Sequence, residues 1–137
     1  MLFRGKLWKE SRHWLAELPL LDAMTQGHSR KEALLMVEDL LESLVGSSDF
    51  RAHASVTDDG RLYVRGSDSR LLIALMLRRQ RSRSGLTLTQ VSERLGARSR
   101  NAYARYEQGA SQPTLEKLSE LLQAVAPDRD LVLDQND

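Results

Sequence analysis

Residues 96–109, GARSRNAYARYEQG, set Arg100, Asn101 and Arg105 along one short helix that starts just past a glycine. These side-chain types suit the edges of base pairs. An arginine guanidinium can give two parallel hydrogen bonds to guanine O6 and N7, and an asparagine amide can do the same to adenine N6 and N7. Helical spacing puts Ala102, Tyr103 and Tyr106 on the side that packs beneath a preceding helix. Arg100, Asn101, Arg105 and Gln108 fall on the opposite side. Ser99 stands at the cap position, where its hydroxyl and the amides of the first turn suit a phosphate. A lone arginine on a helix is ordinarily a solvated charge. Three long polar residues sharing one face of a short helix point instead to the major groove of duplex DNA.

Such a helix needs a partner to hold it in the groove, and the flanking residues supply one. Thr87-Leu-Thr-Gln90 is a capping box that predicts a helix running to Leu95, with Gly96 as the turn. Thr87, Thr89 and Gln90 at its start are candidate phosphate contacts. Gly109 ends the second helix. Pro113 and Thr114 open a last one with Leu115, Leu118, Leu121, Leu122 and Val125 inward, stopped by Pro127. Asp130 to Asp134, DLVLD, predicts a short strand before a frayed end. On the N-terminal side, a helix capped by Asp68 or Ser69 and ended by Gly85 begins wholly apolar, Leu71 to Leu77, and turns basic at Arg78, Arg79, Arg81 and Arg83. Its apolar part exceeds one face and must be buried on several sides, in a core, a domain junction or a dimer seam. Its basic part either complements the helix dipole as a solvated end or meets the DNA backbone, which would add salt dependence without sequence preference.

The formal net charge of +1 over 137 residues hides an asymmetry. Residues 1–66 hold nine Lys/Arg and ten Asp/Glu, whereas residues 70–109 hold nine arginines against two glutamates, a local balance of +7. That favours a phosphate-bearing partner. There is no cysteine, hence no disulfide framework and no thiolate metal site. The longest apolar run is too short to span a membrane, and MLFRGKLWKE has no apolar signal region. The chain is expected to be soluble and cytoplasmic.

The N-terminal half reads differently. Leu2 to Lys9 and His13 to Leu18 alternate as strands, the second with Trp14, Ala16 and Leu18 on one face and Leu15 and Glu17 on the other, ended by Pro19. Ser29-Arg-Lys-Glu32 is a second capping box. Ala33, Val37, Leu40, Leu41, Leu44 and Val45 follow at helical spacing, with Glu38, Asp39 and Glu42 largely off that stripe, and Gly46 closes the helix. Phe50 to Val56 and Leu62 to Val64 alternate about an Asp58-Asp-Gly60 turn, a hairpin. The order β-β-α-β-β gives an α+β domain over residues 1–66, one helix on a sheet. An all-α domain over 67–137 follows, with Gly66-Ser-Asp-Ser69 between them.

Both halves resemble known families. Val91, Leu95, Gly96, Tyr103, Tyr106, Glu107 and Gly109, with Pro113-Thr114-Leu115 beyond, are similar to the phage-repressor helix-turn-helix of the Cro/C1 type. Arg100, Asn101 and Arg105 fall where that family contacts bases. Two departures stand out: one extra residue between Gly96 and Ser99, and Leu88 where many members carry a phosphate-contacting glutamine. In the first half, Trp14, Glu17, Pro19, Thr25, Gly27, Ser29, Glu32 and Ala33 resemble the HicB antitoxin family, although Leu20-Leu-Asp-Ala23 departs from its usual loop. One subgroup of that family carries a helix-turn-helix behind this domain. The resemblance implies a truncated, inactive RNase H-like domain, and a partner toxin of the HicA type, a small basic ribonuclease. It also implies repression of the chain's own operon.

No catalytic constellation accompanies these features. The carboxylates are scattered, His13, His28 and His53 have no partner set out for nucleophilic or metal work, and no phosphate-binding loop is present. A non-enzymatic protein without cofactor or metal is expected. Its partners are double-stranded operator DNA, a HicA-type toxin and further copies of itself, in a homodimer or higher homo-oligomer. Glu17, Asp22, Glu38, Asp39 and Glu42 are the candidate toxin contacts, the last three as an acidic helix face toward a basic nuclease. The alternative is a stand-alone repressor whose N-terminal domain dimerises or binds a small ligand.

Overall fold

The computed structural model describes residues 1–97 and 100–135. Its contacts divide the chain into two compact units, residues 1–76 and residues from 77 onward. The division falls inside a helix, Ser69–Arg83, rather than at the Gly66–Ser69 turn.

In the first unit, strands β1 (Phe3–Glu10), β2 (His13–Leu18), β3 (Ala23–Gly27), β4 (Ala52–Val56) and β5 (Arg61–Gly66) form one antiparallel five-stranded sheet in the order β3-β2-β1-β5-β4. Period-2 alternation makes the sheet two-faced. Phe3, Gly5 and Leu7 of β1, Ala16 and Leu18 of β2, and Leu62 and Val64 of β5 are buried on one side. Arg4 and Lys6, with Arg61 and Arg65, stand exposed on the other. Helix α1 (Arg30–Val45) covers the buried side through Ala33, Val37 and Leu41 and packs against β2, β3 and β4.

The order is β-β-β-α-β-β, one strand more than the alternation predicts. β3 is hidden in sequence because its inward residues are small. Ala23 and Gly27 are buried while Met24 and Gln26 point out. A Cβ on Gly27 would stand 2.5 Å from the Ala33 amide, so close approach of α1 requires the glycine. Pro19–Leu21 forms a single 3-10 turn that reverses the chain between β2 and β3 and buries Leu21 completely.

The Ser29 cap forms as half of a box. Its hydroxyl accepts from the Glu32 amide at 3.0 Å, but the Glu32 carboxylate turns to His28 Nδ1, also at 3.0 Å. That hydrogen bond lowers the exposed Glu32 carboxyl below its usual range. Of the predicted apolar stripe on α1, Leu40, Leu44 and Val45 are only half-buried, and Leu35 and Met36 lie exposed.

Helix α2 (Ser69–Arg83) carries residues of both units, and Leu72 to Leu77 are each buried. The second unit adds α3 (Leu88–Arg94), α4 (Arg100–Glu107) and α5 (Leu115–Val125). Leu118, Leu121, Leu122 and Val125 face inward as their spacing requires, but Leu115, in the first turn, is 65% exposed. No strand forms over Asp130–Asp134: Val132 and Leu133 lie exposed without regular structure, and among the described residues of this unit there is no strand to pair with.

Candidate nucleic-acid interface

Three local devices fix α3 and α4. Thr87 caps α3 reciprocally: its hydroxyl accepts from the Gln90 amide at 3.1 Å, and Gln90 Oε1 accepts from the Thr87 amide at 2.8 Å. Gly96 then takes a left-handed φ of 68°. Its amide bonds Glu93 O while the Ala97 amide reaches back to Ser92 O, the paired bonds that end a helix where only glycine sits without strain. Gly109 ends α4 in the same way, with Ala110 bonding Arg105 O.

The packed side of α4 holds Tyr103, Ala104 and Glu107, and Tyr106 is half-buried. Ala102, which spacing assigns to that side, is exposed. Arg100, Asn101, Arg105 and Gln108 are all exposed. Asn101, Arg105 and Gln108 stand at i, i+4 and i+7 and so line one stripe, with the Ala102 methyl beside them as a surface for a thymine methyl. Arg105 Nε lies 3.4 Å from Ser111 Oγ, a weak tether that a base edge can displace. Ser99, the predicted cap and phosphate contact, lies outside the described residues.

Among the other predicted phosphate contacts, Thr87 and Gln90 bond each other. Gln90 retains its amide Nε2 to donate, and Thr89 is exposed.

The arginine-rich stretch divides by partner, and the formal balance of +7 overstates what can face phosphate. Arg81 grips Glu107 with two hydrogen bonds, Nε to Oε2 at 2.7 Å and Nη2 to Oε1 at 3.0 Å, and also donates to Leu86 O. Its guanidinium is raised above its ordinary range, first by the hydrogen bond to Glu107. Arg78 donates to the Glu107 carbonyl at 2.7 Å, and burial holds its guanidinium below the ordinary range. Arg94 donates to Ala124 O at 3.1 Å, at the C-terminal end of α5. Arg70 pairs with Asp68. These four cations are therefore occupied within the fold and Arg79 is half-buried, so among the described residues of the stretch Arg83, Arg100 and Arg105 remain as exposed cations.

Glu107, which sequence places on the helix-turn-helix pattern, has a structural role that sequence reading missed. It is 4% exposed, and through Arg81 and Arg78 it binds the C-terminal end of α4 to α2. Beside it the Tyr103 hydroxyl is buried without a hydrogen-bond partner among the described residues. Burial pushes that phenol well above its ordinary range, and neighbouring Glu107 pushes it the same way. The signal in the sequence was the lone acid at the end of a basic helix, with arginines three residues apart upstream to meet it.

The candidate toxin contacts are not gathered on one surface. Glu17 lies on the open face of the sheet, directly opposite Lys6. Asp22 follows the 3-10 turn with a left-handed φ of 47°. Asp39 is exposed on α1. Glu38 and Glu42 turn to the sheet: Glu38 Oε2 accepts from the Ala54 amide at 2.8 Å and Glu42 Oε2 from the Ala52 amide at 3.0 Å. Those amides are on the outer edge of β4, so the two carboxylates close an edge that would otherwise pair with another strand. The acidic helix face expected from sequence is thus reduced to Asp39.

Residues 72–134, just under half of the chain, match the family described as a helix-turn-helix domain. That match supports a DNA-binding helix-turn-helix in this part of the chain. No curated protein matches the chain. Among the described residues no group of three or more His, Asp or Glu could hold a metal ion, and no helix is long and apolar enough to cross a membrane.

Proposed function

We propose that the protein is an antitoxin of a type II toxin–antitoxin pair, which neutralises an mRNA-cleaving toxin of the HicA type and represses its own operon by sequence-specific DNA binding. One observation carries this reading. Trp14, Pro19, Thr25, Gly27, Ser29, Glu32 and Ala33, the HicB-like residues, fall in a continuous strand, turn, strand and long helix ahead of the helix-turn-helix. On this reading Arg100, Asn101 and Arg105 read bases. Gln90 Nε2, Thr89 and Ser99 hold the backbone, and a twofold dimer sets two copies of α4 in successive major grooves. The first unit is a non-catalytic RNase H-like domain that needs no cofactor and works in the cytoplasm. Of the five candidate toxin contacts, Asp22 and Asp39 are the exposed carboxylates.

A second reading is favoured by the engagement of Glu38 and Glu42 with β4, which removes most of the acidic face a basic nuclease would meet. In it the chain is a stand-alone repressor whose first unit dimerises or binds a small ligand. Co-expression with the adjacent open reading frame separates the two. A stable complex with a small basic protein that arrests growth when produced alone establishes the antitoxin. Absence of any partner, with retained binding to the upstream DNA, leaves the repressor.

A further inference from the structure

The face of the sheet turned away from α1 is uncovered, and its register can be read row by row. Ser55, Tyr63 and Arg4 are cross-strand neighbours on β4, β5 and β1. The next row is Arg61, Lys6, Glu17 and Met24, and Trp8 pairs with Leu15 in the row after. His53 and Arg65 form the opposite end. Arg4, Lys6, Arg61 and Arg65 are exposed, while Tyr63, Trp8 and Glu17 are half-exposed. Among the described residues of these rows Glu17 is the one carboxylate.

Two features of this face run against stability and call for a ligand. Lys6 stands directly opposite Arg61, and like charges in cross-strand register destabilise a sheet. Asp59, 3.0 Å from Arg61 Nε, and Glu17, opposite Lys6 on its other side, offset only part of that, because Arg61 and Asp59 are both more than half exposed and solvent-screened. Trp8 and Tyr63 also keep aromatic surface on an open antiparallel face, where polar residues are the rule. The Trp8 indole N–H donates to Glu10 at 3.3 Å.

We propose that this face is a docking surface for single-stranded RNA. Bases stack on Tyr63 and Trp8; Tyr63 is level with Arg4, four residues from Trp8 along β1, which separates the two rings by about 13 Å along the strand at ~3.3 Å per residue, room for separate bases. Arg4, Lys6, Arg61 and Arg65 take the phosphates, and the polyanion relieves the Lys6–Arg61 repulsion. Glu17, an acceptor set among cations, suits a ribose 2′-hydroxyl, the group that tells RNA from DNA. A second copy of the same face would meet it charge to like charge. The surface is distinct from α4, and the inference holds whether or not a toxin partner exists.

The test uses the full-length protein and a fluorescein-labelled 12-nucleotide RNA of mixed sequence, read by anisotropy, with the deoxy strand of the same sequence alongside. RNA is expected to bind several-fold more tightly than the deoxy strand. Lys6→Glu and Tyr63→Ala should each weaken RNA binding at least tenfold and leave duplex binding unchanged, and Glu17→Ala should narrow the RNA–DNA difference. Circular dichroism melting checks that each variant folds. Tyr63→Phe, which keeps the stacking ring, should retain RNA binding. The proposal is overturned by absence of RNA binding, by equal affinity for the deoxy strand, or by loss of RNA binding in Arg100→Ala/Arg105→Ala rather than in the sheet variants.

Discussion

Replacing Glu107 with alanine should unfold the DNA-reading unit well before any solvent-exposed change does. The carboxylate makes two hydrogen bonds to Arg81, at 2.7 and 3.0 Å, from a residue only 4% exposed. Hydrogen bonds to charged groups contribute about 1.5–3 kcal/mol net each. Breaking a buried pair by removing one partner costs about 3–5 kcal/mol. The Arg81 side chain is 22% exposed and keeps its bond to Leu86 O, so water and one carbonyl can partly satisfy it. The lower end, about 3 kcal/mol, is therefore expected. A unit of this size loses about 4–8 °C per kcal/mol, so the melting temperature should fall by more than ~10 °C.

Thermal unfolding followed by circular dichroism reads the shift, and a double-mutant cycle with Arg81→Ala isolates the pair. The coupling should be about 2 kcal/mol, since contacting residues in a network couple by ~0.5–3 kcal/mol. Glu107→Gln keeps one acceptor and should lose about half as much. A melting temperature within two or three degrees of wild type for Glu107→Ala, or single-variant effects that simply add, would refute the argument that this pair holds α4 in place.

Other consequences of the geometry are equally measurable. Burial raises the Tyr103 phenol, so above about pH 10, the ordinary tyrosine value, the unfolded chain releases a proton that the folded chain keeps. Stability must then fall as pH rises through that range, and Tyr103→Phe should remove this part of the decline without loss of stability at neutral pH, because the hydroxyl has no hydrogen-bond partner among the described residues. Melting curves between pH 8 and 11 for the two proteins decide it. Glu38→Ala with Glu42→Ala uncovers the Ala54 and Ala52 amides on the β4 edge. A loss of about 1 kcal/mol per hydrogen bond and new concentration-dependent association by light scattering are expected; a variant that stays monodisperse and equally stable speaks against edge protection. Thr87→Ala removes the α3 cap and should cost about 0.5–2 kcal/mol, whereas Thr89→Ala, at an exposed position two residues on, should leave the melting temperature unchanged.

Local chemistry made much of this fold readable. The Thr87 box, the Gly96 and Gly109 ends and the Thr114 cap act within a few residues, so spacing alone locates α3, α4 and α5. The exposed stripe of α4 is similarly a matter of period. What stayed illegible depends on partners distant in sequence. β3 escapes because tight packing against α1 selects small inward residues, which erase the alternation. Glu38 and Glu42 look like a solvated face until the β4 edge is placed beside them. Arg78, Arg81 and Arg94 count as loose positive charge in sequence, yet each is held by a group 26–30 residues away along the chain, on α4 or α5. DLVLD alternates well enough for a strand but has no edge in its own unit to join.

The central claim is that α4 reads base pairs, and binding of the full-length protein to duplex DNA from upstream of its own coding sequence tests it most directly. Affinity is measured across a salt series for wild type, Arg100→Ala, Arg105→Ala and Arg83→Ala, against a scrambled duplex. Loss of a base contact should cost about 1–3 kcal/mol of discrimination. The α4 variants should therefore bind the upstream duplex roughly 5- to 100-fold more weakly, while their affinity for scrambled DNA changes little. Arg83→Ala should at most lower both affinities together and flatten the salt slope. Undiminished preference for the upstream duplex in both Arg100→Ala and Arg105→Ala would contradict the account.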